Sequence, residues 1–456
     1  MKVTSCDYLL SDLIDRARRR GAEHAAATCE TGHTATIRFA QNRVTQHKTH
    51  TDTTITLAVA IGSREALAQS NQVDADGIAE LVDRALDLAA NAPENTEFFP
   101  PVTPQEYQDT TAWFASTADL SLIDRARTVG HMCSFASEQN IDLFGNLETT
   151  IGETTIVNSA GLTASQPSTF AKLSLTARTR TGNGSAQFHT SEADWNRLDW
   201  QSAVNRTIET ALLSRNPAAL APGHYDVILS PKAISEYIMF MFWAMDARMA
   251  ESGQSFFSDG PGKSRCGSTL FHPSVTLISH AHHPQLPTLK FGQAFGSGGS
   301  SAGSVFSLGL PLETTPWITK GVVENLRYSP YYAIRNGRRP VAYPLNIAME
   351  GSDRSRDDLI RDIRTGVLIE SFWYVNPTDW NRIALTGLTR DGTFLIENGH
   401  IQGPVNNFRF NDSPVDSLNR IAGLSVPEKI HGEYLPSLMP WVRICDFNLS
   451  AVSDAV

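Results

Sequence analysis

Residues 366–410 read GVLIESFWYVNPTDWNRIALTGLTRDGTFLIENGHIQGPVNNFRF. Two apolar, strand-like runs in this stretch are followed by the pair Asn398-Gly399 and then by a third run. A two-residue type I′ turn needs positive φ at both central positions, which asparagine and glycine adopt most readily. The stretch therefore predicts an antiparallel hairpin that turns at Asn398-Gly399, and it indicates that the C-terminal half is rich in β-structure.

The length and composition are typical of a multi-domain globular protein. A chain of 456 residues is too long to fold around a single hydrophobic core, so two or three domains are expected. Hydrophobic residues make up 41% and charged residues 19%, which argues against wholesale disorder. The formal net charge of -10 leaves no basic surface of the kind that binds nucleic acid.

The sequence contains no recognisable membrane or export signal. The N-terminus lacks an apolar core with a small-residue cleavage site, and the longest strongly apolar run, 238–245, is far too short to cross a bilayer. The five cysteines are scattered and form no C-x-x-C pair, so reduced, mostly buried thiols are expected. We therefore expect a cytoplasmic protein that binds neither a membrane nor nucleic acid.

Hydrophobic periodicity divides the chain into three predicted domains. Residues 1–98 and 108–216 each combine helical and strand patterns, and a proline-rich linker separates them. Residues 222–456 contain many short strand patterns cut by Gly and Pro, with a buried helix predicted at 231–250. The predicted fold class is α+β, with N-terminal α+β units followed by a large β-rich C-terminal domain.

Two histidine-rich stretches are weak candidates for a metal-binding site. Residues 47–52 contain two histidines and an aspartate between two predicted strands, and a solvated hairpin tip is the simpler interpretation. His280, His282 and His283 follow a predicted strand, and two of them could in principle bind zinc, but no acidic or thiol ligand is adjacent in sequence. No H-E-x-x-H motif occurs, and a polar loop is the favoured interpretation of the second stretch as well.

A glycine- and serine-rich segment occupies residues 296–304, GSGGSSAGS. A phosphate-binding loop would need a Gly-Lys-Ser/Thr ending and a following helix. Here the next residues, 305–308, are strand-like instead. The pattern favours a flexible loop beside a cleft over a phosphate site.

Several landmarks along the chain resemble the TldD/PmbA family. Residues 396–405, IENGHIQGPV, are similar to the family's I-E-N-G-x-x-x-x-P-V hairpin. Other landmarks follow in the family's order: N-S-x-G at 158–161, P-G-x-Y-x-V-x-L at 222–229, G-x-S-F at 253–256 and a G-V-V strand at 321–325. Because these landmarks share one order, the chain is identified as a member of this family from about residue 34 to its end.

The resemblance implies where a metal site would lie. Active members of the TldD type carry H-E-x-x-x-H on the helix before G-x-S-F, with a C-terminal cysteine as a further ligand. Counting back from Ser255, the histidine positions correspond to Ile238 and Trp243, and the glutamate position corresponds to Met239. Cys445 does not lie in the matching context. The resemblance therefore implies no catalytic and no metal-binding residue here, as in the PmbA (TldE) type.

The family's properties imply that this chain is the non-catalytic subunit of a heterodimeric metallopeptidase, and that the complex acts on unfolded or small peptides. A TldD-like subunit with H-E-x-x-x-H would be the partner and would hold a zinc-like metal, so no cofactor is expected in this chain. This chain would form the wall of the substrate cavity, and Asn346, Asn406 and Asn407 are predicted to bind substrate. Two alternatives stay open: a stand-alone homodimer that binds peptides or a biosynthetic intermediate, and a hydrolase whose site uses the histidines at 280–283.

Overall fold

The N-terminal half of the chain is organised by one six-stranded antiparallel sheet. The computed structural model describes residues 6–292, 304–432 and 435–453, so most of the glycine-rich segment lies outside the described residues. The strands of the sheet are β1 (His24–Ala40), β2 (Arg43–Ile61), β3 (Arg64–Ser70), β4 (Ile141–Asn158), β5 (Thr163–Thr179) and β6 (Ser185–Glu192). They lie in the order β3–β2–β1–β4–β5–β6.

The turn between β1 and β2 lies earlier than the sequence predicts. Gln41 and Asn42 both have positive φ, at 49° and 60°, which is the conformation of a two-residue hairpin turn. His47 and His50 therefore lie within β2, where they pair with Ile37 and Thr34 of β1. The predicted hairpin tip at 47–52 is wrong, because this outer part of β2 is exposed on both faces and so carries polar residues throughout.

Five helices accompany this sheet: α1 (Cys6–Arg19), α2 (Ala75–Asn91), α3 (Ala115–Ala118), α4 (Leu122–Glu138) and α5 (Trp200–Leu213). α1 and α2 share a core with Ala25, Ala27 and Cys29 of β1. α4 and α5 share a second core with Ile37 and Phe39 of the same strand. Alternate residues of a strand point to the same side, so both helix pairs cover the same face of the sheet.

The sheet runs across the predicted division between residues 1–98 and 108–216. β1 pairs with β4 along most of its length, from Ala26 opposite Asn158 to Phe39 opposite Gly145. The two α+β units are therefore joined by backbone hydrogen bonds between strands.

The C-terminal region contains two further sheets. Its strands are β7 (Gly223–Leu229), β8 (Leu277–Ser279), β9 (Thr315–Thr319), β10 (Val322–Val323), β11 (Ile347–Met349), β12 (Thr365–Asp379), β13 (Ala384–Glu397), β14 (His400–Pro404), β15 (Asn407–Asp412), β16 (Ile421–Leu424), β17 (Glu428–His431), β18 (Pro436–Met439) and β19 (Val442–Ser453). One sheet has the order β10–β9–β8–β11–β18–β17 and the other β12–β7–β19–β15–β13–β14, with β16 beside β19. β12 also pairs with β13, so five strands of the second sheet form a closed ring. This architecture confirms the predicted α+β fold with a β-rich C-terminal domain.

The β13–β14 hairpin turns where the sequence predicts. Asn398 and Gly399 have φ of 49° and 77° and lie between Glu397 at the end of β13 and His400 at the start of β14. Asparagine and glycine tolerate this left-handed conformation better than other residues, so the local sequence determines the turn.

The helices of the C-terminal region are α6 (Pro231–Ala244), α7 (Ala247–Glu251), α8 (Pro330–Arg335), α9 (Arg356–Arg361) and α10 (Pro414–Asn419). The single helix predicted at 231–250 is divided into α6 and α7, because the Asp246 side chain accepts a hydrogen bond from Met249 N and begins a new helix. No helix within the described residues is both long enough and apolar enough to cross a membrane.

Candidate functional site

Helix α6 is the centre of the C-terminal core. Ser230 begins it by accepting a hydrogen bond from Ala233 N, and Pro231 occupies its first turn, where a missing N–H costs nothing. Every residue of the helix except Lys232 and Trp243 is buried. Tyr237 packs against aromatic rings from three strands of the closed ring, Phe372, Phe410 and Phe447, with centroids 5.8, 5.9 and 6.0 Å away.

The three positions that the resemblance assigns to a metal motif lie in the C-terminal half of α6. Ile238 is fully buried and Met239 is 3% exposed, both within the main apolar core. The Trp243 indole packs edge-on against Phe240 at 5.0 Å and donates a hydrogen bond to the Tyr343 hydroxyl at 3.0 Å. Their side chains supply no imidazole or carboxylate, so these residues do not fit a zinc-like metal.

The G-x-S-F landmark has a structural role at the end of this helix. The buried Ser255 hydroxyl donates a hydrogen bond to the carbonyl of Ala244 at 2.8 Å and accepts one from Phe257 N. It thereby satisfies a carbonyl that the last turn of a helix leaves without a partner.

The histidine loop, residues 280–286, follows β8 as predicted. The ring centroids of His280 and His283 are 5.7 Å apart, and those of His280 and His282 are 6.3 Å apart. His280 Nδ1 accepts a hydrogen bond from His282 N, and His283 Nδ1 accepts one from Gln285 N. These contacts favour the tautomer with the proton on Nε2 for His280 and His283. His282 Nε2 is buried and has no hydrogen-bond partner among the described residues. Within residues 6–292, 304–432 and 435–453, no group of three or more His, Cys, Asp or Glu side chains is arranged to hold a metal ion.

A cleft of about 720 Å³ lies between the proline-rich segment and the sheet that contains β8 and β9. Its walls come from residues 99–105, 310–316, 324–328 and 334–344, and six of the lining residues are prolines. The proline-rich segment is predicted from the sequence as a linker, and this cleft is not predicted. The recurrence of proline in segments distant in sequence is a signal that could have indicated a shared rigid wall.

The cleft is separated from α6 by one layer of side chains. Ser279 lines the cleft and accepts a hydrogen bond from the Trp317 indole at 2.7 Å. Trp317 in turn packs edge-on against Phe242 of α6 at 4.9 Å. Tyr343, whose two neighbours in sequence line the cleft, contacts both Phe242 and Trp243. The cleft therefore lies next to the helix end where active relatives are expected to hold their metal.

Cys266 is the exposed thiol of this cleft, although the sequence predicts mostly buried cysteines. Its Sγ donates a hydrogen bond to the Glu324 carbonyl. Partial burial against the cleft raises the pKa of the Cys266 thiol, while Arg338 lowers it and Glu324 raises it further. A catalytic cysteine needs a lowered pKa to supply thiolate, so this environment does not favour a thiol nucleophile.

Comparisons with known proteins identify the family. A family model described as the PmbA/TldA metallopeptidase C-terminal domain matches residues 222–451, and one for the central domain matches residues 71–215. The chain belongs to the PmbA/TldD family. None of the curated protein sequences compared with it matches.

Solved structures share the fold of this PmbA/TldD-family chain over nearly its whole length. TldE from Thermococcus kodakarensis is 15% identical with a TM-score of 0.84, covering 96% of this chain and 99% of that one. A candidate modulator of DNA gyrase from Bacteroides thetaiotaomicron is 17% identical with a TM-score of 0.82, covering 99% and 100%. A similar candidate from Thermotoga maritima MSB8 is 14% identical with a TM-score of 0.80, covering 98% and 100%.

The asparagines predicted to bind substrate form hydrogen bonds within the chain. Asn346 is 2% exposed; its Oδ1 accepts from His280 N, and its Nδ2 donates to the carbonyls of His280 and Leu286. Asn406 Oδ1 accepts from Leu220 N at 2.6 Å. Asn407 Oδ1 accepts from the hydroxyls of two neighbouring threonines. The structure does not bring Asn346 together with the other two, and substrate contact at all three stays a prediction.

A polar interface joins the N-terminal sheet to the C-terminal domain of this family member. His431 Nδ1 lies 2.8 Å from the Ser191 hydroxyl, and Lys429 forms an ion pair with Glu192 at 2.7 Å. Burial, followed by nearby lysines, lowers the pKa of His431 to about 4. Burial and the same kind of neighbours also lower the pKa of His189 to about 4. These histidines are therefore neutral near pH 7 and support the domain interface.

Proposed function

We propose that this chain is the non-catalytic subunit of a heterodimeric metallopeptidase acting on unfolded or small peptides. The observation that carries the proposal is α6, where apolar side chains fill the positions of the family's metal motif. Ile238 and Met239 are buried in the main core, and Trp243 is held by Tyr343. Because the family is a metallopeptidase family, we assign the zinc-like metal to a TldD-like partner with H-E-x-x-x-H.

The cleft supports a role as the wall of the substrate cavity. It has the size of a site for a small ligand, its walls are mainly apolar, and one side-chain layer separates it from α6. Extended peptides also bind proteins by adding a strand to a sheet edge, which gives tolerance of sequence. We assign the chain to the cytoplasm, where its five free thiols would remain reduced.

The proposal is tested by co-expressing the chain with an H-E-x-x-x-H member of the family from the same organism. We expect one heterodimer in size-exclusion chromatography at micromolar concentration and cleavage of an unfolded peptide by the complex alone. Replacing the motif glutamate of the partner by glutamine is expected to abolish cleavage while the heterodimer persists, because that change removes the general base.

Two results would contradict this proposal. If the two proteins elute separately and this chain alone forms a homodimer that binds peptide without cleavage, the stand-alone binding protein is correct. If this chain alone cleaves peptide and contains stoichiometric zinc that is lost on replacing His280, His282 and His283 by alanine, the hydrolase with a relocated site is correct. The hydrogen bonds that His280 and His283 accept at Nδ1 disfavour the second result.

A further inference from the structure

The cleft contains one cation and one anion whose side chains have no partner. Arg338 and Glu324 both line it, and among the described residues neither side chain forms a hydrogen bond or an ion pair. Both are exposed, so neither is forced to find a partner inside the chain. The other charged pair of the cleft is satisfied, because Arg339 donates a hydrogen bond to Glu313 at 2.6 Å.

Both charged residues line the cleft together with Cys266. Arg338 lowers the pKa of that thiol and Glu324 raises it, after the larger effect of burial. The Glu324 carbonyl also accepts the thiol hydrogen bond at 3.1 Å. Within the part of the chain that the structure describes, the two side chains form no ion pair with each other, so both remain available to a ligand in the cleft.

The surfaces around these charges are apolar and stiff. Leu310, Leu312, Leu326, Val341 and Ala342 line the cleft together with its six prolines. Proline fixes φ and so limits the freedom that a wall loses when a ligand binds. The volume of about 720 Å³ falls in the range of sites for small ligands. Such a cleft suits a ligand with apolar side chains and one charge of each sign.

We propose that the cleft binds short apolar peptides with two free termini, through their carboxylate at Arg338 and their ammonium at Glu324. Arginine binds carboxylates through two parallel N–H donors, and a peptide ammonium pairs with a carboxylate in the same charge-assisted way. Peptides of this kind are the substrates or products of a peptidase for small peptides, so the inference rests on the proposed function and deepens it.

The test uses trileucine with the purified full chain alone, without a partner subunit. Binding is measured by isothermal titration calorimetry and by protection of Cys266 against slow alkylation at alkaline pH. We expect trileucine amide and N-acetyl-trileucine to bind about ten- to hundredfold more weakly than trileucine, because each loses one charge-assisted contact. Cys266→Ser is expected to remove the alkylation signal and so locate the protected thiol.

Substitutions of Arg338 and Glu324 test which terminus of the peptide each side chain binds. Arg338→Met is expected to remove the preference for trileucine over its amide, and Glu324→Gln to remove the preference over the acetylated peptide. Arg339→Met is the matched control, since its charge is already paired with Glu313 and the preference should persist. All three positions are exposed or at the cleft margin, so folding should be retained.

Three results would overturn the inference. They are equal binding of the free, amidated and acetylated peptides; no protection of Cys266; and binding of free leucine as tight as that of trileucine, which would make this an amino-acid site. Because no partner is present, these results are independent of the heterodimer experiment. Failure to form a heterodimer would leave peptide binding in the cleft intact.

Discussion

Helix α6 is packed by apolar contacts on nearly every side, whereas the histidine loop is held by polar contacts to the backbone. In α6 the helix has the position that the resemblance assigns to the family's metal motif, but Ile238 and Met239 offer no imidazole or carboxylate. In the loop the imidazoles are present, but His280 and His283 use Nδ1 to hold backbone N–H groups. The helix thus has the motif position without the motif side chains, and the loop has imidazoles of which two are engaged by the backbone.

The comparison also shows how differently the two regions are stabilised. Apolar packing in α6 is distributed over many weak contacts, so it resists small changes of shape but not the introduction of a charge. The loop depends on a few hydrogen bonds, and three of them belong to Asn346. Single substitutions can therefore test each region separately.

The largest effect is expected for Met239→Glu, which introduces the glutamate that the resemblance places at this position in active members. The side chain is 3% exposed in the main core, so a carboxylate at this position would be buried among apolar side chains. We expect the free energy of unfolding to fall by about 3–5 kcal/mol, measured by urea denaturation.

Two controls accompany this variant. Met239→Leu conserves volume and should cost less than about 1.5 kcal/mol. Leu88→Glu introduces the same carboxylate on α2 at a side chain that is 48% exposed, and should change stability by about 0.5 kcal/mol or less. If Met239→Glu keeps wild-type stability, this face of α6 is accessible and the argument from packing fails.

An intermediate effect is expected for Asn346→Ala. The change leaves His280 N and the carbonyls of His280 and Leu286 without partners in a buried place. Leaving such groups unsatisfied should lower the free energy of unfolding by about 2–4 kcal/mol. Asn91→Ala, which removes one exposed hydrogen bond at the end of α2, should have little effect. Unchanged stability with weakened peptide binding would instead make Asn346 a substrate contact.

The turns and helices that were predicted correctly are those whose conformation depends on neighbouring residues in the sequence. The Asn398-Gly399 turn follows from the φ preferences of those two residues, and the apolar pattern at 231–250 predicted a buried helix, which the structure divides into α6 and α7. The β1–β2 turn was missed because Gln41 gives no turn signal and the outer part of β2 is polar on both faces. Without one buried face, a strand shows no alternation in its sequence.

The candidate site could be predicted only where it depends on a family landmark. Counting back from G-x-S-F assigns the motif positions within α6, but the cleft joins residues 99–105 to residues 310–344, more than 200 positions away. The partners of Asn346 lie 60 and 66 residues from it. Contacts at such separations are set by tertiary packing, which the periodicity of one sequence does not encode.

The smallest effect is expected for the polar interface of His189 and His431 as the pH falls. Both have a folded pKa of about 4, lowered by burial and then by lysines, against roughly 6.5 in the unfolded chain. Between these values the unfolded chain binds protons that the folded chain does not, so stability falls as the pH drops from roughly 6.5 to 4. Each histidine should contribute on the order of 2 kcal/mol to this loss.

The measurement compares pH profiles of unfolding for the wild type and His431→Asn. Asparagine can keep a hydrogen bond to Ser191 but does not titrate, so the variant should lose less stability than the wild type over this range. The difference between profiles is used because burial raises the pKa of Glu192, which shifts stability in the opposite sense. His47→Asn, on the exposed part of β2, is the control for the substitution itself and should change stability at pH 7 by about 0.5 kcal/mol or less. Parallel profiles for wild type and His431→Asn would show that His431 is protonated in the folded protein and that the polar interface tolerates its charge.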